Sequence, residues 1–268
     1  MPEQTVRPNV LDEIVSHKRS ELAQRKTEMP VERLHEKVGA AAPARDFRTA
    51  LRKPGVSLIA EVKRASPTRG NMLPGADAVE IAATYEQCGA RAISVLTDQK
   101  YFGGSLEDLE RVHDSVRVPV LRKEFIIDEY QVYESRAAQA DAILLIARIL
   151  SVQQIDEYIE LARLLGMSAL VEVHTAEEIE RVLQTRAHII GINNRDLDTL
   201  EVNLERTFEL KRLVPGGHIL VSESGIYTRD QVHMLDEGGV DAILVGEALV
   251  RSGDIRAKLG ELLQRDEG

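Results

Sequence analysis

LIAEVKRASP, residues 58–67, begins as a buried β-strand and ends in ions. Leu58, Ile59, Ala60 and Val62 supply an apolar run, which Glu61, Lys63 and Arg64 interrupt where burial ought to be complete. Residues two apart share one face of a strand, so Glu61 and Lys63 point the same way and Arg64 points to the outer layer or its loop. A strand that closes on a facing pair of ions is one that ends in a functional cleft. The stretch also separates two architectures, because a doubly wound open sheet usually carries a glycine-rich turn after its first strand, where this chain has KRASP.

From residue 57 onward one pattern recurs: a short run rich in Val, Ile and Leu, a polar or glycine-containing loop, then an amphipathic helical stretch. This is the signature of βα units and a parallel sheet. The runs begin at Ser57 (SLIAEV), Ala92 (AISVLTD), Val118 (VPVLRKEF), Asp141 (DAILLIA), Ser168 (SALVEVH), His188 (HIIGINN), His218 (HILVSES) and Asp241 (DAILVGE). About eight such units in 268 residues fit an α/β fold of the (β/α)8 TIM-barrel type, whose usual length is about 250 residues. An open sheet would need fewer strands. The expected plan is a single domain over 1–268, with an N-terminal helical extension over 1–50 that packs on a barrel over 51–268. In the extension Asn9 is placed to cap a helix carrying Leu11, Ile14 and Leu22, and Pro30 breaks the pattern before VERLHEKV. The segment either covers the mouth of the barrel or only adds stability.

Composition narrows the partners. With 43% hydrophobic and 29% charged residues the chain can bury a large core, and a net charge of −10 offers no footprint for nucleic acid or an anionic membrane. A small anionic ligand remains open, since a few local cations outweigh the mean field. The single cysteine, Cys88, cannot form an intrachain disulfide, and no Cys/His spacing suits zinc, so a cytoplasmic location is expected. The first residues contain no apolar core of signal-peptide type, and no window approaches the ~20 apolar residues of a membrane span. The expected partner is a phosphorylated small molecule, with no nucleic acid, no membrane, and a monomer or weak homo-oligomer as the assembly.

The parity applied to Glu61 and Lys63 gives Lys123 with Phe125 after the third run, Glu172 with His174 after the fifth, and Asn193 with Arg195 after the sixth. Strand C-termini form the functional face of such a barrel. Two lysines and two glutamates on one rim allow pairing to hold groups charged while burial pushes others toward acid–base duty. His174 is read as a residue of the loop or rim. SESG at 222–225 and VGEAL at 245–249 each set a glycine where a strand turns toward a helix, so backbone N–H groups can converge on an anion. With Arg195 and Ser66 nearby, a phosphomonoester is the expected occupant of that end.

Seven blocks, AEVKRASPTRG, LTDQKYFGGSLEDL, VPVLRKEFIID, ALVEVHT, IIGINNRDL, LVSESGI and ILVGEAL, resemble in order and spacing those of the indole-3-glycerol-phosphate synthase family. The resemblance extends to NVLDEIVSHKRSEL at residues 9–22 and so covers nearly the whole chain. It implies ring closure of 1-(2-carboxyphenylamino)-1-deoxyribulose 5-phosphate with loss of carbon dioxide and water, without metal or organic cofactor. It also implies roles: Lys123 as general acid, Lys63 on the substrate carboxylate, Glu61 orienting Lys63, Glu172 as base, and Asn193 with Glu223 and Ser224 on the hydroxyls. Phosphate would fall to Ser66, Arg195, Gly225 and Gly246, and the aromatic ring to Phe102, Phe125, Leu144 and Ile146. Glu124 stands where the family more often has aspartate, Gln139 where a glycine usually precedes the fourth strand, and Arg148 where a small residue is usual.

Three other readings stay open on residues alone. A sugar isomerase on a similar barrel would want a carboxylic acid or thiol pair where this rim has lysines. A Schiff-base aldolase would use a desolvated lysine as nucleophile. A non-catalytic scaffold could bind phosphorylated metabolites.

Overall fold

The structure is a computed structural model that describes residues 10–52, 54–66, 70–72 and 75–263. Asn9, expected as a cap, and the side chain of Ser66, expected at the phosphate, lie outside the described residues. Eight parallel strands, β1 (Ser57–Val62), β2 (Ala92–Leu96), β3 (Val120–Lys123), β4 (Ala142–Ile146), β5 (Ser168–Val173), β6 (Ile189–Asn193), β7 (Ile219–Glu223) and β8 (Ala242–Val245), close into a barrel. Neighbours in sequence are neighbours in space, and β1 closes the ring by pairing both β2 (Ile59 opposite Ala92) and β8 (Ser57 opposite Ala242). Each apolar run of the sequence forms one strand, and the fold is a (β/α)8 barrel. An additional two-residue ribbon, Ala65–Ser66 against Gly70–Asn71, stiffens the loop after β1.

Strand parity divides the core in two. Ile59, Leu121, Ala142, Leu144, Leu170, Ile189, Ile219, Ala242 and Leu244 fill the barrel interior, while Leu58, Ala60, Ile93, Val120, Ile143, Val171 and Ile190 face the helices. The polar residues obey the same alternation, so Glu61, Lys123, Glu172, Asn193 and Glu223 continue the inward rows at the C-terminal ends. The surrounding helices start where side-chain oxygens can take the first free N–H groups. Asp77, Ser105, Asp128, Ser151, Thr175 and Thr228 each cap one, and Ser151 and Thr228 form reciprocal boxes with Gln154 and Gln231.

Three helices precede the barrel: α1 (Val10–Glu28), α2 (Val31–Ala40) and α3 (Phe47–Leu51). α3 plugs the N-terminal end, where Phe47 and Leu51 join the interior cluster. α1 lies across the opposite end and buries Leu11, Ile14, Lys18 and Leu22, one stripe at helical spacing with a lysine inside it. Lys18 Nζ lies 2.8 Å from Asp98 Oδ2 and 3.1 Å from Glu124 Oε1, and it is fully buried. The pairing is ionic, since neither contact has the alignment of a hydrogen bond. Burial works against this charge, yet Glu124 and Asp98 outweigh it and hold the ammonium above the ordinary lysine range. Further along, Arg25 pairs with Glu134 at 3.1 Å and Lys26 with Asp128 at 2.8 Å, fixing α1 to the helix Glu129–Ala137.

Removing one partner of a buried ion pair strands the other charge, so Lys18→Met is expected to lower folding stability by about 3–5 kcal/mol at neutral pH. Urea unfolding followed by circular dichroism measures it. A loss below about 1 kcal/mol would mean that Leu11, Ile14 and Leu22 hold α1 by apolar burial alone.

Candidate active site

At the C-terminal end of the barrel the inward rows of several strands enclose a cavity of about 320 Å³. Lys123, the last residue of β3, stands at its base. Its Nζ lies 2.6 Å from Glu223 Oε2 at the end of β7 and 3.2 Å from Glu172 Oε2 near the end of β5. Burial opposes a charge on Lys123, but Glu223, Glu172 and Glu61 outweigh it and keep the ammonium well above the usual lysine range. The carboxylates divide. Burial alone would raise Glu172, but Lys123, His174 and Asn193 hold it below the ordinary range. Burial pushes Glu223 up to about 7, and the negative charges of Glu172 and Glu61 add to this against the pull of Lys123. Glu223 Oε1 is buried and makes no hydrogen bond among the described residues, so burial of this oxygen is uncompensated and works against its charge.

Glu61 and Lys63 form a looser pair, 3.7 Å apart, and Lys63 Nζ stands 5.7 Å from the ring centre of Phe102. Phe102 closes the short helix Gln99–Phe102 after β2 and lies 6.1 Å, centroid to centroid, from Phe125 just past β3. With Leu144 and Ile146 of β4 these rings make one apolar wall. Arg64 turns away to the neighbouring loop, where it donates to Gly103 O at 2.9 Å and pairs with Asp108.

On the far side stand Asn193, Arg195, Ser224, Gly225 and Gly246. Arg195 spans 3.2 Å to Glu247 Oε2 and donates to Leu200 O. Ser224 and Gly225 take positive φ values of 67 and 80, so the chain after β7 folds back tightly. The Asn194 Nδ2 group fixes that bend by donating to Ser222 Oγ and Ser224 O, both at 3.0 Å. The helix after β7 begins only at Arg229, four residues beyond Gly225, so the SESG glycine serves the turn and no helix starts there. Gly246 does precede the short helix Glu247–Arg251.

The described side chains expected from the sequence thus line one cavity, and Ser66 alone lies outside the description. Several neighbours were not anticipated. Val10, Leu11 and Ile14 of α1 contribute to the wall, so the extension closes over the mouth. Leu197, Leu200 and Tyr227 line it from the loops after β6 and β7. Gly191, in mid-β6, leaves room for Glu223: a Cβ there would stand 2.2 Å from Glu223 Oε1. A glycine inside a strand often marks such an approach, and GIN at 191–193 carried that signal. Glu124, of opposite parity, faces the other way and accepts from Thr97 Oγ1 at 2.8 Å and Phe125 N at 2.9 Å.

A family model described as indole-3-glycerol phosphate synthase matches residues 11–262. A relative of that name from Dehalococcoides mccartyi is 48% identical over 258 residues, spanning 95% of this chain and 100% of its own length. Another from Mycolicibacterium smegmatis is 44% identical over 254 residues, with 95% and 93% covered. Among solved structures, 3-hexulose-6-phosphate synthase from Salmonella typhimurium superposes with a TM-score of 0.63 at 12% identity over 77% of this chain and 96% of its own. Thiamine phosphate pyrophosphorylase from Pyrococcus furiosus gives 0.60 at 19% identity over 79% and 95%. These two structural likenesses speak for the barrel alone.

The raised carboxyl of Glu223 sets a pH dependence. The folded chain keeps a proton there at pH values where the unfolded chain has released it, so the contribution is full below the ordinary carboxyl range and is lost as pH rises through about 7. Glu223→Gln is expected to remove a decline in Tm between about pH 5 and pH 7.5. Differential scanning calorimetry of both proteins across that window measures the difference in slope, and parallel slopes would place the proton elsewhere.

Proposed function

The chain belongs to the indole-3-glycerol phosphate synthase family, and from that premise we propose that it converts 1-(2-carboxyphenylamino)-1-deoxyribulose 5-phosphate to indole-3-glycerol phosphate. The observation that carries the reading is the ammonium of Lys123 held between Glu172 and Glu223 beneath an apolar wall. Ring closure requires the aromatic carbon that bears the carboxylate to attack the ketone carbon of the sugar. Negative charge then gathers on the ketone oxygen, and a fixed cation in a water-poor cavity is worth most at that point. A lysine held so firmly protonated releases its proton only to a strong base, and the nascent alkoxide is one. The same protonation speaks against a Schiff base, which needs a neutral amine.

Lys63 is the free-standing partner for the substrate carboxylate, with Glu61 orienting its ammonium. Once the carbon–carbon bond has formed, the carboxylate leaves as carbon dioxide and its bonding pair restores the aromatic ring. Dehydration follows. The hydroxyl made from the ketone departs with a proton, and the adjacent methylene gives up a proton to complete the pyrrole ring. Glu172, kept ionised by Lys123 and His174, is the base for that proton. Asn193, Glu223 and Ser224 would orient the sugar hydroxyls. Arg195, Gly225, Gly246 and Ser66 would receive the phosphate, with Arg195, which Glu247 holds at 3.2 Å, supplying the cation at that end. Phe102, Phe125, Leu144 and Ile146 take the benzene ring by area burial and ring contact. The three events need only protons and fixed charges, so no metal or organic cofactor enters the proposal. No helix among the described residues is long and apolar enough to cross a membrane, and we place the reaction in the cytoplasm.

The chain contains no tryptophan, so an indole product is read by fluorescence without a tryptophan background. Mixing the purified protein with the carboxyphenylamino-deoxyribulose phosphate should give a rising indole signal. Lys123→Ala should cut kcat by about 10²–10⁴-fold with a smaller change in KM. A silent wild type that the same compound still stabilises thermally would leave a phosphate-binding barrel and overturn the synthase reading.

A further inference from the structure

His174 lies one residue beyond β5, and its side chain is only 3% exposed. It stands between two carboxylates. Nε2 is 3.3 Å from Glu172 Oε1 and Nδ1 is 3.4 Å from Glu178 Oε2. The other Glu172 oxygen, Oε2, is the one 3.2 Å from Lys123. Glu178 is itself fixed: its Oε2 accepts the His174 backbone N–H at 2.6 Å, and its own N–H donates to Thr175 Oγ1 at the cap of the helix Ala176–Val182. Thus the end of β5 and the start of the following helix form one unit that sets a carboxylate within ion-pair distance of each buried ring nitrogen, although neither contact has the alignment of a hydrogen bond.

An ionised carboxylate only accepts hydrogen bonds, and a neutral imidazole has a single N–H to give. Carboxylates at ion-pair distance from both nitrogens therefore favour the doubly protonated ring, which alone offers each of them an N–H and a positive charge. We propose that His174 is a positioning residue of this site: its imidazolium, gripped by Glu178, turns the Glu172 carboxylate so that Oε2 faces Lys123 and the cavity, and gives it a second cation. This rests on the reading of Glu172 as the base. The surrounding charges agree. Burial disfavours a charged ring, but Glu178 and Glu172, with a smaller contribution from Glu223 across the barrel, outweigh it and raise His174 above the usual histidine range. The cations of this surrounding are Lys123 of β3, which pairs with Glu172, Arg148 after β4, which feels Glu178, and Arg181 of the same helix, which donates to Leu150 O. Without the imidazolium, the buried carboxylates Glu172 and Glu223 would be left to share Lys123.

The test compares His174→Asn and Glu178→Gln with wild type by pH profiles of indole formation. A general base must be ionised, and a nearby cation lowers its pKa, so loss of the imidazolium moves the acid limb of kcat/KM to higher pH. A shift of roughly one pH unit is expected for His174→Asn, with kcat about tenfold lower and KM little changed. Glu178→Gln keeps the ring but weakens its charge, and should move the limb the same way by less. Acid limbs that coincide with wild type, even in destabilised variants, would reduce His174 to a packing residue and overturn the proposal. Nitrogen-15 NMR of the full chain, with the resonance assigned by His174→Asn, gives a readout apart from turnover. A doubly protonated ring at about pH 7 is expected, and a singly protonated one overturns the clamp. If the wild type makes no indole while the ring is doubly protonated, the failure belongs to the synthase reading and the clamp stands.

Discussion

The pleat of β3 sends three consecutive ions to two destinations. Arg122 and Glu124 face outward, and Lys123 between them faces the barrel interior. Inward, Lys123 gathers Glu172 and Glu223. Outward, Arg122 donates to Glu134 at 2.7 Å and lies 3.5 Å from Glu124, which in turn meets Lys18 of α1. Shifting the register of this one strand by a single residue would expose the outer network to the cavity and turn the lysine toward the helices. The extension and the reaction centre are therefore positioned by the same four residues of backbone. This accounts for a lysine in the buried stripe of α1, where burial against a hydrocarbon core would be prohibitive and burial against three carboxylates, Glu21, Asp98 and Glu124, is not.

Much of this arrangement is local in origin and hence legible in sequence. Apolar runs of four to six residues with ions at their ends specify strands and their exits, and a period of two then fixes which ions share a face. Glu61, Lys123, Glu172 and Asn193 follow from that arithmetic because each strand is short and begins in apolar residues, whereas Glu223 came only with the family resemblance. The capping residues were equally local. What the sequence hid depends on closure of the ring. That Glu172 meets Lys123 across the barrel, while Glu61 keeps to Lys63, follows from strand stagger and tilt, which no single segment encodes. His174 illustrates the limit: VEVH shows a histidine in phase with Glu172, but its second partner comes from the helix beyond. Lys18 offered a clearer signal, a lysine in phase with Leu11, Ile14 and Leu22; its burial ties α1 to Asp98 and Glu124, while Val10, Leu11 and Ile14 line the cavity. Gln139, where the family usually has glycine, adopts a φ of 65, so the turn imposes a left-handed backbone whichever residue occupies it.

Ions this close are tolerated only because volume has been removed around them. Gly191 on β6 sits beside Glu223, and Gly246 after β8 sits beside Glu61, where a Cβ would stand 2.6 Å from Oε1. Any side chain at either position would drive a carboxylate out of its row. Leucine or isoleucine occupies the same inward rows one layer below, as Ile189 and Leu244 do. The interior therefore changes character within one turn of the pleat, from close-packed hydrocarbon to ions with empty neighbours. The hydrocarbon layer below bars water from beneath, so the charges act in a medium of low polarisability, where a fixed ammonium stabilises a developing alkoxide far more than solvent would. The glycines supply the space, the aliphatic layer supplies the dielectric, and the carboxylates supply the charge that keeps Lys123 protonated, which in the proposed reaction would last until the substrate's own oxygen becomes the stronger base.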